Sequence, residues 1–244
     1  MNSSESSIFA RSAQLLGGEA VGRLAAARVL VVGVGGVGSF AAECLARTGV
    51  GHVTLVDHDS VCESNVNRQL HALATTIGRP KAEVMAERLR AINPDIDARA
   101  VVAAYSPDAP GAILEPAPDF VIDAIDSLTA KCDLIAQCRG RGISVVTSTG
   151  SAGRTDPTRV AVADLSKTDV DPLAKMVRKL LRRRHGFPRE GKFGVTAVYS
   201  TEDPNQREGV DLSAPRGSLS QVTGVFGLIC ASVVINRIAG EPGR

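Results

Sequence analysis

The chain of 244 residues contains no tryptophan, and only 3% of its residues are aromatic. So few aromatic side chains leave little capacity for reading nucleic acid by stacking on its bases. Neither sign of charge is in large excess, because 28 lysines and arginines face 26 aspartates and glutamates. A nucleic-acid partner therefore does not follow from the net charge of +2 and has to rest on local charge clusters.

Long hydrophobic runs are also missing. The longest apolar stretch, residues 222–235, includes two glycines and is shorter than the roughly 20 residues of a bilayer-spanning helix. We expect a buried apolar helix at about 219–239, without stable membrane insertion. The five cysteines are odd in number and scattered, and no apolar signal segment follows the polar residues 1–7. We therefore expect a reducing, cytoplasmic setting.

The order of strand and helix patterns predicts the fold class. Apolar runs rich in β-branched residues predict strands at 28–32, 52–56, 120–124 and 143–147. Segments with helical spacing separate them, at 39–48, 81–92 and 129–139. This alternation is typical of a Rossmann-like, doubly wound α/β fold with a mostly parallel sheet.

After residue 150 the pattern loosens. Residues 159–163 fit one more strand, 172–184 predict a strongly basic helix, and 186–216 predict a long, mobile loop rich in glycine, proline and charge. We expect one domain over 1–244. Its core would lie at about 20–165, with a C-terminal extension that carries the basic helix and the loop at about 166–218.

A glycine motif predicts a nucleotide site. Gly33, Gly35 and Gly38 form G-x-G-x-x-G between a predicted strand and helix. Glycines here permit a tight turn and a close approach to phosphate, and the helix N-terminus attracts the anion. Asp57 closes the next strand, 19 residues after Gly38, where its carboxylate can accept both ribose hydroxyls. The motif alone leaves open whether the nucleotide is NAD or ATP.

Polar and cationic residues after the second strand favour ATP. Hydride transfer has no need for such a group, whereas attack of a carboxylate on the α-phosphate of ATP does, because two anions approach and pyrophosphate leaves. Arg68 can fork onto phosphate oxygens, Lys81 supplies a point charge, and Asn65 can donate hydrogen bonds. We place Arg68 and Lys81 among the ATP-binding residues, together with Asp57 and Asp59.

An acidic pair at the end of the strand 120–124 predicts a metal ligand. Mg²⁺ in proteins is usually held by one or two carboxylates plus substrate phosphates. Of Asp123 and Asp126, we expect Asp126 to hold Mg²⁺ with ATP. Each polar residue taken alone could be an ordinary surface charge at a loop end. Together they predict adenylation of a carboxylate, with Asn65, Arg68, Lys81 and Asp126 as the catalytic set.

One segment is strongly basic. Between Lys175 and Lys192 there are eight lysines and arginines against one acid, Glu190. A charge cluster this local is typical of a surface that contacts a phosphate backbone, although a charge run can also be a solvated helix face. Residues one helical turn apart form two cationic rows that can follow an RNA strand. The predicted RNA contacts are Lys175, Arg178, Lys179, Arg182 and Arg183.

These motifs resemble a known superfamily. The runs GVGGVGS, TLVDHD, SNVNRQ, GRPKAEVMAERL, INP and DAIDS are similar to the adenylation domain of the ubiquitin-activating-enzyme-like proteins, which include the molybdopterin and thiamine biosynthesis adenylyltransferases. The resemblance is strongest to the dehydratases that act on threonylcarbamoyladenosine in tRNA. It extends through DPT at 156–158, DLSKT at 164–168 and DPLAK at 171–175, and so covers nearly the whole chain.

The resemblance implies an activity and partners. ATP would bind near Gly35, Gly36 and Asp57, and adenylation of the threonine carboxylate would let the neighbouring carbamoyl group close a ring and expel AMP. The substrate would be tRNA and the protein a homodimer, with a sulfur-relay protein left open as a further partner. Relatives often bring an N-terminal arginine across the dimer to the ATP phosphates. Arg11 falls near that position, and an ordinary surface arginine is the alternative.

Cysteine spacing separates the chain from some of these relatives. Enzymes that activate the C-terminus of a ubiquitin-like sulfur carrier, the alternative function, commonly carry paired C-x-x-C zinc ligands, and no two cysteines here are three apart. Residues 139–229 contain no cysteine for a thioester, and we expect Cys230 to be a buried small hydrophobe. We therefore expect no zinc and no thioester step. An NAD(P)-binding redox or sensor protein is the third alternative.

Overall fold

Seven strands form a single sheet in the computed structural model, which describes residues 8–204 and 217–240. The strands are β1 Arg28–Val32, β2 His52–Val56, β3 Asp97–Val101, β4 Phe120–Asp123, β5 Ser144–Ser148, β6 Val160–Asp164 and β7 Thr196–Ser200. Their order is β3-β2-β1-β4-β5-β7-β6. Neighbours run parallel except β6 and β7, which pair antiparallel. The predicted mostly parallel α/β sheet is confirmed.

Helices cover both faces of the sheet. They are α1 Ala10–Leu16, α2 Gly18–Ala26, α3 Gly38–Thr48, α4 Lys81–Ile92, α5 Gly111–Leu114, α6 Leu128–Gly140, α7 Pro172–Arg184 and α8 Ser220–Ala239. One core packs α3, α4 and α8 against the sheet, and the other packs α6 and α7 against the opposite face. Burial on both faces explains why the strands read as continuous apolar runs: in β1, Val29 and Val31 enter the first core while Leu30 and Val32 enter the second.

The apolar C-terminal helix α8 is a core element. By length and composition it is the one helix of the described residues that could cross a membrane, and 61% of its apolar window is buried inside the protein. Val222, Phe226 and Cys230 are fully buried. A Cβ on Gly227 would lie 2.3 Å from the carbonyl oxygen of Val37, so α8 and α3 touch backbone to backbone. This packing agrees with the buried helix expected from the sequence.

The structure corrects the prediction beyond residue 150. The stretch predicted as one mobile loop, 186–216, contains β7, which lies inside the sheet between β5 and β6. Residues 205–216 of that predicted loop lie outside the described residues. The edge strand β3 was not predicted at all, whereas the basic helix α7 has the predicted bounds. Strand β4 ends at Asp123, one residue earlier than expected, and β5 begins one residue later.

The strand order reverses beside β1, and this fixes where a ligand can bind. Val32, the last residue of β1, lies opposite Val56 on one side and Asp123 on the other. Connections from β1 and β4 leave toward opposite faces, so a crevice opens at the carboxyl ends of these strands. The glycine turn, Asp57 and the segment after β4 all begin at this edge.

Candidate active site

The glycine turn lies between β1 and α3 and is packed against β4. Gly33 has φ +88°, and a Cβ there would lie 2.6 Å from the carbonyl oxygen of Ala124. A Cβ on Gly38 would lie 1.8 Å from the carbonyl oxygen of Gly33. Both positions therefore require glycine, the first for its conformation and both for the close backbone contact.

The turn presents unpaired donors. Within the described part of the chain, the N–H groups of Gly35, Gly36 and Val37 make no hydrogen bond, and they immediately precede α3. Free N–H groups at a helix N-terminus, with the positive end of the helix dipole behind them, form an anion site. The geometry fits a nucleotide phosphate in the position predicted from the sequence.

Asp57 connects the turn to the segment that follows β2. Its Oδ2 accepts the N–H of Val34 at 2.7 Å, and its Oδ1 accepts the N–H of Asp59 at 2.8 Å. A carboxylate offers about four acceptor positions, so capacity remains for the predicted ribose hydroxyls. The backbone bonds hold the carboxylate in place beside the glycine turn.

Lys81 is buried at the start of α4 and is tied to the same network. Its Nζ donates to Oδ2 of Asp59 at 2.7 Å, and its backbone N–H donates to the carbonyl oxygen of Asp59. The hydrogen bond from Lys81 lowers the pKa of Asp59, so the partner stays ionised. Lys81, Asp59 and Asp57 thus form one chain of contacts that brings a cation close to the predicted ATP site.

Asn65 and Arg68 lie on the crossover segment between β2 and α4. The side-chain oxygen of Asn65 accepts the N–H of Cys62 at 3.2 Å, which leaves its amide nitrogen as the group that can donate to a ligand. Arg68 is half-buried, and Nη1 donates to the carbonyl oxygen of Ser64 and to Oδ1 of Asn67. These contacts orient the guanidinium while its other nitrogens make no hydrogen bond within the described residues.

Two polar residues of the same segment were missed in the sequence. Gln69 is 7% exposed, and its Oε1 has no partner among the described residues. Its amide nitrogen is the nearest atom to a Cβ placed on Gly35. His71 is 1% exposed, and neither ring nitrogen has a partner there either. Burial, together with the charges of Lys81 and Arg88, lowers the pKa of His71 to about 4. His71 is therefore neutral near pH 7. Gln69 belongs to the NVNRQ run, but burial could not be read from that motif.

Asp123, the last residue of β4, and Asp126, three residues after it, differ in burial. Asp123 is fully buried, where its Oδ2 accepts Nζ of Lys131 at 2.7 Å and Oγ1 of Thr147 at 2.6 Å. Asp126 is exposed and makes no hydrogen bond or ion pair with any described residue. Only Asp126 has a carboxylate available for a ligand. That difference fits the prediction of Asp126 as the Mg²⁺ ligand, with phosphates and water completing the coordination.

A second group of potential metal ligands follows β2. Ligand atoms of Asp57, His58 and Asp59 all lie within 4.8 Å of one another. Asp57 already accepts two backbone N–H groups and Asp59 accepts Lys81. Because hydrogen bonds and an ion pair already balance these carboxylates, we do not regard this group as the metal site.

The basic helix lines an open groove. Its volume is about 850 Å³, and every described residue that lines it is cationic: Lys175, Arg178, Lys179, Arg182, Arg183 and Arg189. All five predicted RNA contacts therefore belong to one surface, which we call the cationic groove. A groove whose described lining consists of six cations and no carboxylate concentrates a polyanion.

Two phenylalanines that follow α7 pack against arginines, one of which lines the cationic groove. The rings of Phe187 and Phe193 are buried and pack edge to face at 5.1 Å. The guanidinium of Arg182 lies 5.1 Å from the centre of the Phe193 ring, and that of Arg139 lies 4.4 Å from Phe187. These cation–π contacts orient part of the groove wall.

Two further predicted residues have clear environments. Cys230 is fully buried, and desolvation raises the pKa of its thiol to about 12, so it is a protonated core residue, as expected, and not a nucleophile. Arg11 is exposed on α1, a helix that buries none of its residues. The role of Arg11 across a dimer stays a prediction.

The fold and this site define a nucleotide-binding α/β protein, and comparison with known proteins gives its family. Residues 9–244 match the ThiF family. The tRNA threonylcarbamoyladenosine dehydratase of Haemophilus influenzae is 41% identical, over 90% of this chain and 88% of that protein. Its Escherichia coli counterpart is 41% identical, over 97% of this chain and 95% of that protein. The chain therefore belongs to the ThiF family. Within it, the chain belongs with the tRNA threonylcarbamoyladenosine dehydratases.

A solved structure has the same fold. The Escherichia coli dehydratase, TcdA, in complex with ATP aligns with a TM-score of 0.89 at 42% identity, over 96% of this chain and 94% of that chain. Its complex with AMP aligns with a TM-score of 0.90 at 43% identity, over 97% of this chain and 96% of that chain. The fold described above is thus the fold of an enzyme that has been solved once with ATP and once with AMP.

Proposed function

We propose that this protein cyclises threonylcarbamoyladenosine in tRNA, next to the anticodon, by adenylating its carboxylate with ATP. One observation carries the proposal. The same chain has free N–H groups in the glycine turn at the sheet edge and a groove lined by six cations. The free N–H groups of the glycine turn can bind the phosphates of ATP, and the cationic groove can bind the phosphate backbone of RNA. The similarity of the chain to two bacterial dehydratases, and the complexes of the Escherichia coli enzyme with ATP and with AMP, support the same function.

Adenylation places specific demands on the site. An oxygen of the substrate carboxylate attacks the α-phosphorus, the bond to the β-phosphate oxygen breaks, and pyrophosphate leaves with the electron pair. Arg68 and Lys81 offset the charge of the approaching anions, Asn65 donates to a phosphate oxygen, and the free N–H groups of the glycine turn hold the triphosphate. Mg²⁺ on Asp126 would neutralise charge on the leaving pyrophosphate.

Ring closure needs no protein nucleophile. The carbamoyl group of the same nucleotide attacks the activated carbonyl carbon, and AMP leaves with the oxygen that came from the carboxylate. The carbamoyl group gives up a proton as the ring closes, so the substrate loses the elements of one water overall. Proximity within one nucleotide makes this second step effectively unimolecular, which is consistent with a buried and protonated Cys230.

We further propose the assembly and setting. Ile8, just before α1, is 63% exposed, and Leu15, on α1, is 84% exposed. A second copy of the chain would cover both side chains. A homodimer would also bring Arg11 toward the partner's ATP. We infer one domain built on the single sheet, a ligase that needs Mg²⁺ and no zinc, and a cytoplasmic location suited to its five free cysteines.

The test is AMP release from ATP by the purified protein with tRNA that carries threonylcarbamoyladenosine, compared with the same tRNA lacking that modification. We expect release only with the modified tRNA, and a loss of one water from that nucleoside by mass spectrometry. AMP release that does not depend on the modification, or no mass change in the nucleoside, would contradict the proposal.

Activation of a ubiquitin-like sulfur carrier is the weaker alternative. The cationic groove has no evident use for a carrier's C-terminal tail, and the cysteine spacing provides no C-x-x-C pair. ATP–pyrophosphate exchange that is stimulated by a carrier protein and not by tRNA would favour it.

A further inference from the structure

Arg154 and Asp171 form a buried ion pair outside the predicted site. Nη2 of Arg154 lies 2.7 Å from Oδ2 of Asp171, and the side chains are 1% and 0% exposed. Taking both charges out of water is costly unless further hydrogen bonds complete the geometry. The contacts of this pair therefore indicate what it holds in place.

Asp171 joins the basic helix to the sheet. Its Oδ1 accepts the N–H of Ala174 at 2.7 Å and so caps α7. Its Oδ2 accepts Oγ1 of Thr149 at 3.0 Å, and Thr149 is the first residue after β5. A single carboxylate thus fixes the first turn of the helix that carries the cationic groove to the carboxyl edge of the sheet.

Arg154 extends this attachment to two loops. It donates to the carbonyl oxygen of Gly150, in the loop after β5, and to that of Glu202 at 3.3 Å, in the loop after β7. The pair therefore gathers the ends of two neighbouring strands and the start of α7 at one point.

The backbone next to the pair is strained. Val170 has φ +55°, the one positive value outside glycine among the described residues. The N–H of Asp171 donates to the carbonyl oxygen of Asp169 across it, which makes a tight γ-turn. This conformation is unfavourable for a β-branched residue. It persists because the residue that follows, Asp171, is held in place by Arg154.

A continuous path of contacts runs from this point to the predicted nucleotide site. Lys131 donates to the carboxylate of Asp123 at 2.7 Å and to the carbonyl oxygen of Ser148 at 2.9 Å. Ser148 is followed by Thr149, which binds Asp171. Asp123, the last residue of β4, directly precedes the loop that carries the predicted magnesium ligand. Buried polar groups thus link that loop to the cap of the basic helix.

We infer that Arg154 and Asp171 are positioning residues that fix the cationic groove relative to the nucleotide site, so that a tRNA bound in the groove presents its carboxylate to ATP. The inference rests on the proposed function. All six cations of the groove remain when the pair is removed, so RNA binding itself persists. What is lost is the alignment of the bound substrate with ATP, and a misplacement of about 1 Å lowers turnover by about 100-fold.

The test uses the full-length protein and two variants. Arg154→Met with Asp171→Asn removes both charges and keeps an amide oxygen that can cap α7. Val170→Gly leaves every polar contact in place and frees the strained turn, because glycine adopts positive φ without cost. A double variant of the ion pair Glu43 and Arg88, Glu43→Gln with Arg88→Met, is the charge-matched control.

The measurements are ATP affinity, tRNA affinity as a function of salt, and kcat and KM for AMP release on modified tRNA. For the paired variant we expect kcat to fall by about 10-fold to 100-fold, with ATP affinity, KM and the salt slope within about twofold of wild type. Val170→Gly should lower kcat less, by about threefold or more, with no fall in the thermal midpoint. The control should match wild type.

Four outcomes of these measurements would contradict the inference or the proposed function. Wild-type kcat in both variants overturns the inference, as does an equal loss of ATP affinity, tRNA affinity and kcat, which a merely structural role would produce. If the paired variant does not fold, wild-type kcat in Val170→Gly is sufficient to overturn the inference. Absence of AMP release by the wild-type protein would instead refute the proposed function.

Discussion

Removing two cations from the cationic groove should weaken tRNA binding by an amount that can be worked out from the structure. Lys179 and Arg183 are one helical turn apart on α7, both are exposed, and neither makes a hydrogen bond or ion pair with a described residue. Their charges are therefore available to RNA. The perturbation is the double variant Lys179→Ala with Arg183→Ala.

Counterion release sets the size of the effect. Each phosphate contact contributes about 0.7 to 0.9 to the slope of log K against log salt concentration, so each is worth about 5-fold to 8-fold at 0.1 M salt relative to 1 M. Two contacts then give about 25-fold to 60-fold, or about 2 kcal/mol, and the slope should fall by about 1.4 to 1.8. Sequence-specific contacts would not scale with salt in this way.

The assay is filter binding of modified tRNA between about 0.05 and 0.3 M salt. Arg47→Ala with Arg99→Ala removes the same charge from α3 and from the edge strand β3, where both arginines are paired with acids. This control should keep the wild-type slope. An unchanged slope in the groove variant, or an equal change in the control, would refute the assignment of the groove to RNA.

Three further predictions follow from single residues. Lys81→Met and Asp126→Asn should each lower AMP release by about 100-fold or more with the fold retained in circular dichroism; near-normal release in both would contradict their roles. The pKa of His71 is lowered from 6.5 to about 4 in the folded protein. Between about pH 4 and pH 6.5 the unfolded chain therefore binds a proton on His71 that the folded protein does not bind. Stability should therefore fall by up to about 3 kcal/mol as the pH drops from 6.5 toward 4, and His71→Asn should flatten that slope in urea denaturation. Gly227→Ala should destabilise by about 1–3 kcal/mol because α8 must move away from α3, whereas Gly140→Ala, with open space around it, should not lower the thermal midpoint.

The sequence predicted elements wherever the pattern is local. Strands β1 and β2 and helices α4 and α7 were predicted with the observed bounds, because each is a sustained apolar or amphipathic run. Strand β3 reads DARAV, with two charged residues of five, and is only partly buried at the sheet edge. Strand β7 lies in a stretch rich in glycine and charge, and it becomes a strand by pairing with β5 and β6, which are distant in sequence. Short strands of this kind depend on non-local partners.

The same division applies to the site. Gly33, Asp57 and Lys81 lie at ends of regular elements, so the edge at which they meet followed from the order of strands and helices. Arg154 stands in a loop of small and polar residues, where an arginine is ordinarily exposed. Its burial depends on Asp171, whose position is set by β5, β7 and α7 together. Such a partner emerges only from the tertiary structure.

The antiparallel pairing of β6 with β7 has a consequence for how this enzyme could have acquired its substrate. Asp164 and Thr196 lie directly opposite each other in the ladder, so the chain leaves the sheet and returns to it at the same place. Everything between them, including α7 and the two phenylalanines beneath it, is an excursion with adjacent ends. A different excursion grafted onto these two strand ends would leave the ATP chemistry intact and change the acceptor, which makes this junction a natural point for exchanging substrate specificity among enzymes built on the same sheet.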